Sequence, residues 1–184
     1  SSENETPLIL WNHRWEYDKN PELFFEILFA LDAEGLDFEL VVLGQRYRNS
    51  PPIFAKAQER LAHRILHFGY TKDFGSYAHW LWRADIALTT AVQDFFGGSV
   101  VEAIYCQCFP LLPYRLAYPE HVPEALQSAT FYGHAENLKV KLRQLLQEHT
   151  YRAYGPTLAD FVGKYDWGNL RYQYEVAFEQ VRQP

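Results

Sequence analysis

A chain of 184 residues, 48% hydrophobic and 17% aromatic, is long enough to bury a real core and too apolar to stay disordered. Its net charge of −6 argues against a nucleic-acid-binding module, which is usually basic. Cys106 and Cys108 lack the second pair that a structural zinc site needs, so they suggest a reducing compartment, most simply the cytoplasm.

In chain order, Leu8-Ile9-Leu10-Trp11 predicts a short apolar strand. Pro21 opens a helix that runs to about Glu34, with Gly35 as its stop signal. Its apolar face is wide: Leu23, Phe24, Ile27, Leu28 and Leu31. Phe38 to Leu43 predicts a second strand, closed by Gly44, and a helix follows from about Pro52 to Ala62. Arg64 to Phe68 predicts a third strand, closed by Gly69. Asp73 is placed to cap a helix that ends near Trp82. Ile86 to Thr90 is the fourth strand, and the next helix spans about Gly98 to Cys106. Phe109 to Pro113 gives a fifth strand and Thr130 to Tyr132 a sixth. Helices over about Glu136–Glu148 and Leu170–Arg182 close the chain. Trp80, Trp82, Tyr165 and Trp167 are expected in the core or in packing against another domain.

Strands that are continuous apolar runs and alternate with helices predict an α/β fold. It is a three-layer, doubly wound parallel sheet, Rossmann-like, with ligands beyond the carboxyl ends of the strands. No run approaches the ~20 apolar residues of a membrane span, and no signal peptide is visible. No methionine occurs. Residues 1–7 therefore read as a linker or cloning remnant, and residues 8–184 as one domain taken from a longer protein.

Three turns lie on the carboxyl rim. The first, Asn12 to Pro21, carries Arg14 and Lys19, a planar fork and a point charge suited to a diphosphate; read alone, they are equally two solvated cations. The second, Asp94-Phe95-Phe96-Gly97-Gly98-Ser99-Val100-Val101-Glu102, brackets a glycine pair with two carboxylates where a strand gives way to a helix. Glycine admits a close ligand, and a helix start offers free N–H groups and a positive dipole end. A carboxylate in the first turns can accept sugar hydroxyls. The third, Gly69-Tyr70-Thr71, has backbone groups that could read a purine edge, or is an ordinary turn. His63 and His67 do not make a plausible metal pair, and no P-loop, Gly-x-Ser-x-Gly or Gly-x-Gly-x-x-Gly motif is present.

Arg14-x4-Lys19, together with Asp94-x7-Glu102 and its embedded Phe96-Gly97, resembles the C-terminal donor-binding half of GT-B retaining glycosyltransferases (family 4-like). Glu102-Ala103 followed by Cys106-Gln107-Cys108-Phe109-Pro110 resembles that family's Glu-Ala…Gly-x-Pro continuation. Trp11 to Pro21 and Tyr114 to Glu120 are similar to the tRNA-queuosine mannosyltransferase branch. The resemblance implies a nucleotide-diphosphate sugar donor such as GDP-mannose, no metal or other cofactor, and a missing N-terminal acceptor domain. It further implies a tRNA acceptor reached through the full-length protein, and an isolated fragment that does not turn over. Residue by residue, it implies that Arg14 and Lys19 hold the diphosphate, as catalytic and donor-binding groups. Asp94, one methylene shorter than the family's glutamate, would contact the sugar. Gly97, Gly98, Ser99 and Val100 would offer backbone N–H groups, and Glu102 would take the ribose hydroxyls. Phe96, Gly69 and Tyr70 would complete the donor site. Two competing readings are a non-catalytic Rossmann-like interaction domain and a GT-B nucleotide-sugar epimerase. A phosphorylase would need a lysine for pyridoxal phosphate, and no such context occurs.

Overall fold

The computed structural model describes residues 6–172. Six strands, β1 (Leu8–Asn12), β2 (Glu39–Leu43), β3 (Ile65–Gly69), β4 (Ile86–Leu88), β5 (Phe109–Pro113) and β6 (Phe131–Tyr132), form one sheet in the order β3-β2-β1-β4-β5-β6. Every neighbouring pair is parallel. The chain builds outward from β1 to β3, then returns to the other side of β1 to start β4. That reversal is the expected doubly wound arrangement. The loops leaving β1 and β4 therefore depart in opposite directions and leave a crevice between them.

The helices are α1 (Pro21–Ala33), α2 (Ile53–Arg60), α3 (Phe74–Arg83), α4 (Gly98–Tyr105), α5 (Glu124–Thr130), α6 (Ala135–Glu148) and α7 (Gly155–Val162). Pro21 sits at the start of α1, where its missing N–H costs nothing, and the Asn20 side chain accepts the Leu23 amide. Asp73 caps α3 by accepting the Ser76 amide at 2.8 Å.

Successive strand residues point to opposite faces. Ile9 and Trp11 join the larger core, with Phe24, Phe25 and Leu28 of α1, Phe54 of α2 and Leu142 of α6. Leu8 and Leu10 join the smaller core, with Leu81 of α3, Ala103 of α4 and Cys108. Both faces of β1, β2, β4 and β5 are almost wholly dry, which is why these strands read as apolar runs, while the edge strand β3 is only partly covered. The aromatic packing continues past the end of β1. Trp15 stacks on Phe54 at 4.4 Å between ring centroids, and its indole N–H donates to Leu43 O at 3.1 Å. The β1 exit loop is thereby anchored on the core.

Several elements differ from expectation. β4 stops at Leu88, because Thr89 and Thr90 leave the strand to serve the neighbouring loop. The helices α5 and α7 are short, and the Gly155-Pro156 that opens α7 has the composition of a break. Trp82 and Trp167 lie outside the core, on the surface, so of their two expected placements only packing against another domain remains; the inward side of α3 is carried by Leu81. Residues 167–172 are helical, and the remainder of the expected final helix lies outside the described residues.

Gly44 has φ +116°, and a Cβ there would stand 2.2 Å from the His13 carbonyl oxygen. Gly35 also has positive φ, +79°, but open space around it. Gly44→Ala should therefore cost more than ~2 kcal/mol, and Gly35→Ala about 1 kcal/mol. Urea midpoints at constant m-value would measure both; equal shifts would show that the His13–Gly44 approach is loose.

Candidate functional site

The loops leaving β1 and β4 are stitched into one unit. The amides of Val92 and Gln93 donate to Asp18 O at 2.8 and 3.3 Å. The Thr90 hydroxyl shares its proton between the carbonyls of Lys19 and Asn20, at 2.9 and 2.8 Å. Lys19 Nζ donates to Gln93 O at 2.6 Å and lies 3.1 Å from an Asp18 carboxylate oxygen. Lys19 is only 7% exposed, so its ammonium is held in place and not free to swing in water. Arg14 is the opposite case. Its side chain is 62% exposed and paired with Glu16 at 3.2 Å. Such surface pairs are worth ~0–1 kcal/mol, so Glu16 holds Arg14 only weakly.

The two loops border an open cleft of about 400 Å³ over the β1–β4 crevice. Among the residues expected at the site, Arg14, Lys19, Tyr70, Asp94, Gly98 and Ser99 line it. Asn12, His13, Gly44 and Tyr77 line it as well. At the start of α4, Gly97 takes a left-handed conformation, and its carbonyl receives the amides of Val100 and Val101 at 2.9 and 3.0 Å. A Cβ at Gly97 would stand 2.8 Å from the Tyr118 ring, so the turn needs glycine twice over. The amides of Gly98 and Ser99 have no acceptor among the described residues, as expected for a helix start.

The other expected residues lie outside the cleft. Gly69 ends β3 next to Tyr70. The Phe96 ring packs edge-on against His121 and Tyr165, and its carbonyl accepts from His121 Nε2–H at 2.5 Å. Val100 is buried in the core. Glu102 faces an adjoining apolar groove between α3 and α4, where its carboxylate accepts the Tyr77 phenol proton at 2.5 Å. Tyr77 lines both cavities and connects them: its hydroxyl also accepts Asn12 Nδ2–H at 2.8 Å. Asn12 lies 3.2 Å from Ser99 O and donates there too. Tyr118, buried behind the cleft, donates to Asp94 Oδ2 at 3.1 Å.

The sequence reading therefore missed four side chains. Asn12 and His13 stand beside Arg14 in the first rim turn, so their place was signalled but not their direction. Tyr77 sits mid-helix and Tyr118 opens a short 3-10 turn, Tyr118–His121, with no local signal. Burial, with Lys19 nearby and against the pull of Asp94, pushes His13 down to about 4. Burial and their carboxylate partners push the Tyr77 and Tyr118 phenols upward. Among the described residues, no group of three or more His, Cys, Asp or Glu is arranged to hold a metal ion. None of the described helices is long and apolar enough to cross a membrane.

The fold is that of the C-terminal domain of GT-B glycosyltransferases. The pneumococcal O-GlcNAc transferase GtfA, solved with UDP and GlcNAc, superposes with a TM-score of 0.76 at 16% identity, over 100% of this chain and 38% of that one. The C-terminal domain of a glycosyl transferase group 1 family protein (LpcC) from Francisella tularensis gives 0.70 at 16% identity, over 88% and 86%. In sequence, the chain is 37% identical over 116 residues to the tRNA-queuosine alpha-mannosyltransferase of Drosophila melanogaster. That alignment covers 63% of this chain and only 30% of the relative's length. No family model matches the chain.

The folded chain keeps His13 neutral down to about pH 4, whereas an ordinary histidine gains its proton near 6.5. Between these values the unfolded chain binds more protons, so stability falls as pH drops from 6.5 toward 4. Replacing His13 by Gln should flatten that limb, by up to roughly 3 kcal/mol at its full extent. Urea unfolding at pH 7, 6 and 5 reads this directly; parallel curves for the two proteins would mean that His13 titrates like a surface histidine.

Proposed function

We propose that this chain is the donor-binding half of a retaining glycosyltransferase that takes a nucleotide-diphosphate sugar. One observation carries the reading: an exposed guanidinium, an anchored ammonium and a helix start with free amides converge on one cleft. Arg14 and Lys19 would hold the diphosphate, and the amides of Gly98 and Ser99 would bond its oxygens. As the glycosidic bond breaks, charge accumulates on the departing diphosphate. Preorganised donors aimed at that charge lower the barrier because they need no reorganisation. On this reading the chain's own cations do the neutralising and no metal or cofactor is needed. Asp94, held by Tyr118, would orient the sugar. Glu102 would exchange the Tyr77 phenol for ribose hydroxyls.

The identity to a tRNA-queuosine mannosyltransferase supports GDP-mannose as donor and a queuosine-containing tRNA as acceptor. An acidic donor half leaves the basic surface for RNA to the remainder of a longer protein, which would also close the cleft. The chain alone would then bind donor without turning it over.

Calorimetry with GDP, UDP and ADP should show diphosphate binding, with GDP tightest. Arg14→Ala and Lys19→Ala should each weaken it by roughly 10- to 100-fold, the worth of a charge-assisted hydrogen bond. In a full-length enzyme the same substitutions should lower turnover by ~10²–10³. Binding that ignores both substitutions would refute the assignment.

A further inference from the structure

Among the described residues, His13 and Lys19 are the buried titratable side chains that line the cleft, and of the two only Lys19 has a part in the proposed donor contacts. Its backbone is fixed from two directions. Its carbonyl accepts the Trp11 indole N–H at 2.9 Å and lies where only the glycine at position 44 lets it lie. Its ring is fixed too: Nε2 is 2.6 Å from the Thr89 hydroxyl, at the end of β4. The free edge of the ring, Nδ1, is 3.4 Å from the Ser99 hydroxyl in the first turn of α4. Asn12, the preceding residue, holds the Ser99 carbonyl. Two consecutive side chains from the end of β1 thus grip one residue of α4 by its carbonyl and its hydroxyl. Such a grip is unnecessary for the core, because α4 is already packed through Val100, Ala103 and Ile104.

We propose that His13 is a positioning residue: acting through Ser99, it sets where the free amides at the start of α4 meet the terminal phosphate of a nucleoside diphosphate. The inference rests on the donor reading above. A neutral imidazole suits the task. It can bond both hydroxyls, one as donor and one as acceptor, and it adds no charge to compete with Lys19 for the phosphate.

The test is calorimetry of the chain with GDP and GMP, for His13→Gln, His13→Asn, Ser99→Ala and the Gln/Ala double variant. A glutamine reaches Thr89 but not Ser99, whereas an asparagine carries a polar atom where Nδ1 stood. His13→Gln and Ser99→Ala should each weaken GDP by roughly tenfold, one neutral hydrogen bond, and the double variant should be no worse than either. His13→Asn should retain most of the GDP affinity. GMP, which lacks the terminal phosphate, should bind all four variants as it binds the unsubstituted chain. Equal losses for GDP and GMP, or additive losses in the double variant, would reduce His13 to a packing residue and overturn the proposal. If the unsubstituted chain binds GMP and GDP equally, the diphosphate reading falls first and takes this inference with it.

Discussion

The site depends on the seam between the β1 and β4 exit loops. A doubly wound sheet opens a crevice between these strands because their connections leave in opposite directions. An open crevice alone would let each loop move independently. Here the Asp18 carbonyl receives two amides from the β4 loop, Thr90 reaches back to two carbonyls of the β1 loop, and Lys19 spans both. Burying these polar groups unpaired would cost ~1–3 kcal/mol each. Moving one loop away from the other would expose several at once, so the two loops shift together or not at all.

That seam also explains the division of labour between the two cations. Lys19 is desolvated, and its partners Gln93 O and Asp18 fix its position. Arg14 hangs in solvent with a weak partner. One charge is fixed in place by its partners; the other stands exposed to solvent. Around them the acids are restrained by phenols, Asp94 by Tyr118 and Glu102 by Tyr77. Each phenol is pushed toward its protonated form by burial and its carboxylate, so it remains a donor across the physiological range.

Much of the architecture was legible from sequence for simple reasons. Strands buried on both faces must be apolar throughout, and helices between them announce themselves by Pro21, Asp73 and the glycines that follow the strands. Where legibility failed, the local signal was weak or contradicted by long-range bonding. The run Ile86 to Thr90 has the composition of a five-residue strand, but its last two threonines are pulled to partners about 70 positions earlier in the chain. α5 and α7 are too short to show a periodic pattern.

By itself the sequence determined the layer order, the rim turns and the kinds of group they carry. Those follow from patterns within a dozen residues: periodicity, glycine, proline and charge. Only the tertiary structure decided that Arg14, Lys19, Asp94 and Ser99 border one cleft while Glu102 turns into the groove beside it. It alone brought His13 under Ser99 and Tyr77 against Glu102. Those contacts join residues 25 to 86 positions apart; the longer exists because parallel strands stack the end of β1 beside the end of β4, the shorter because α3 packs against α4.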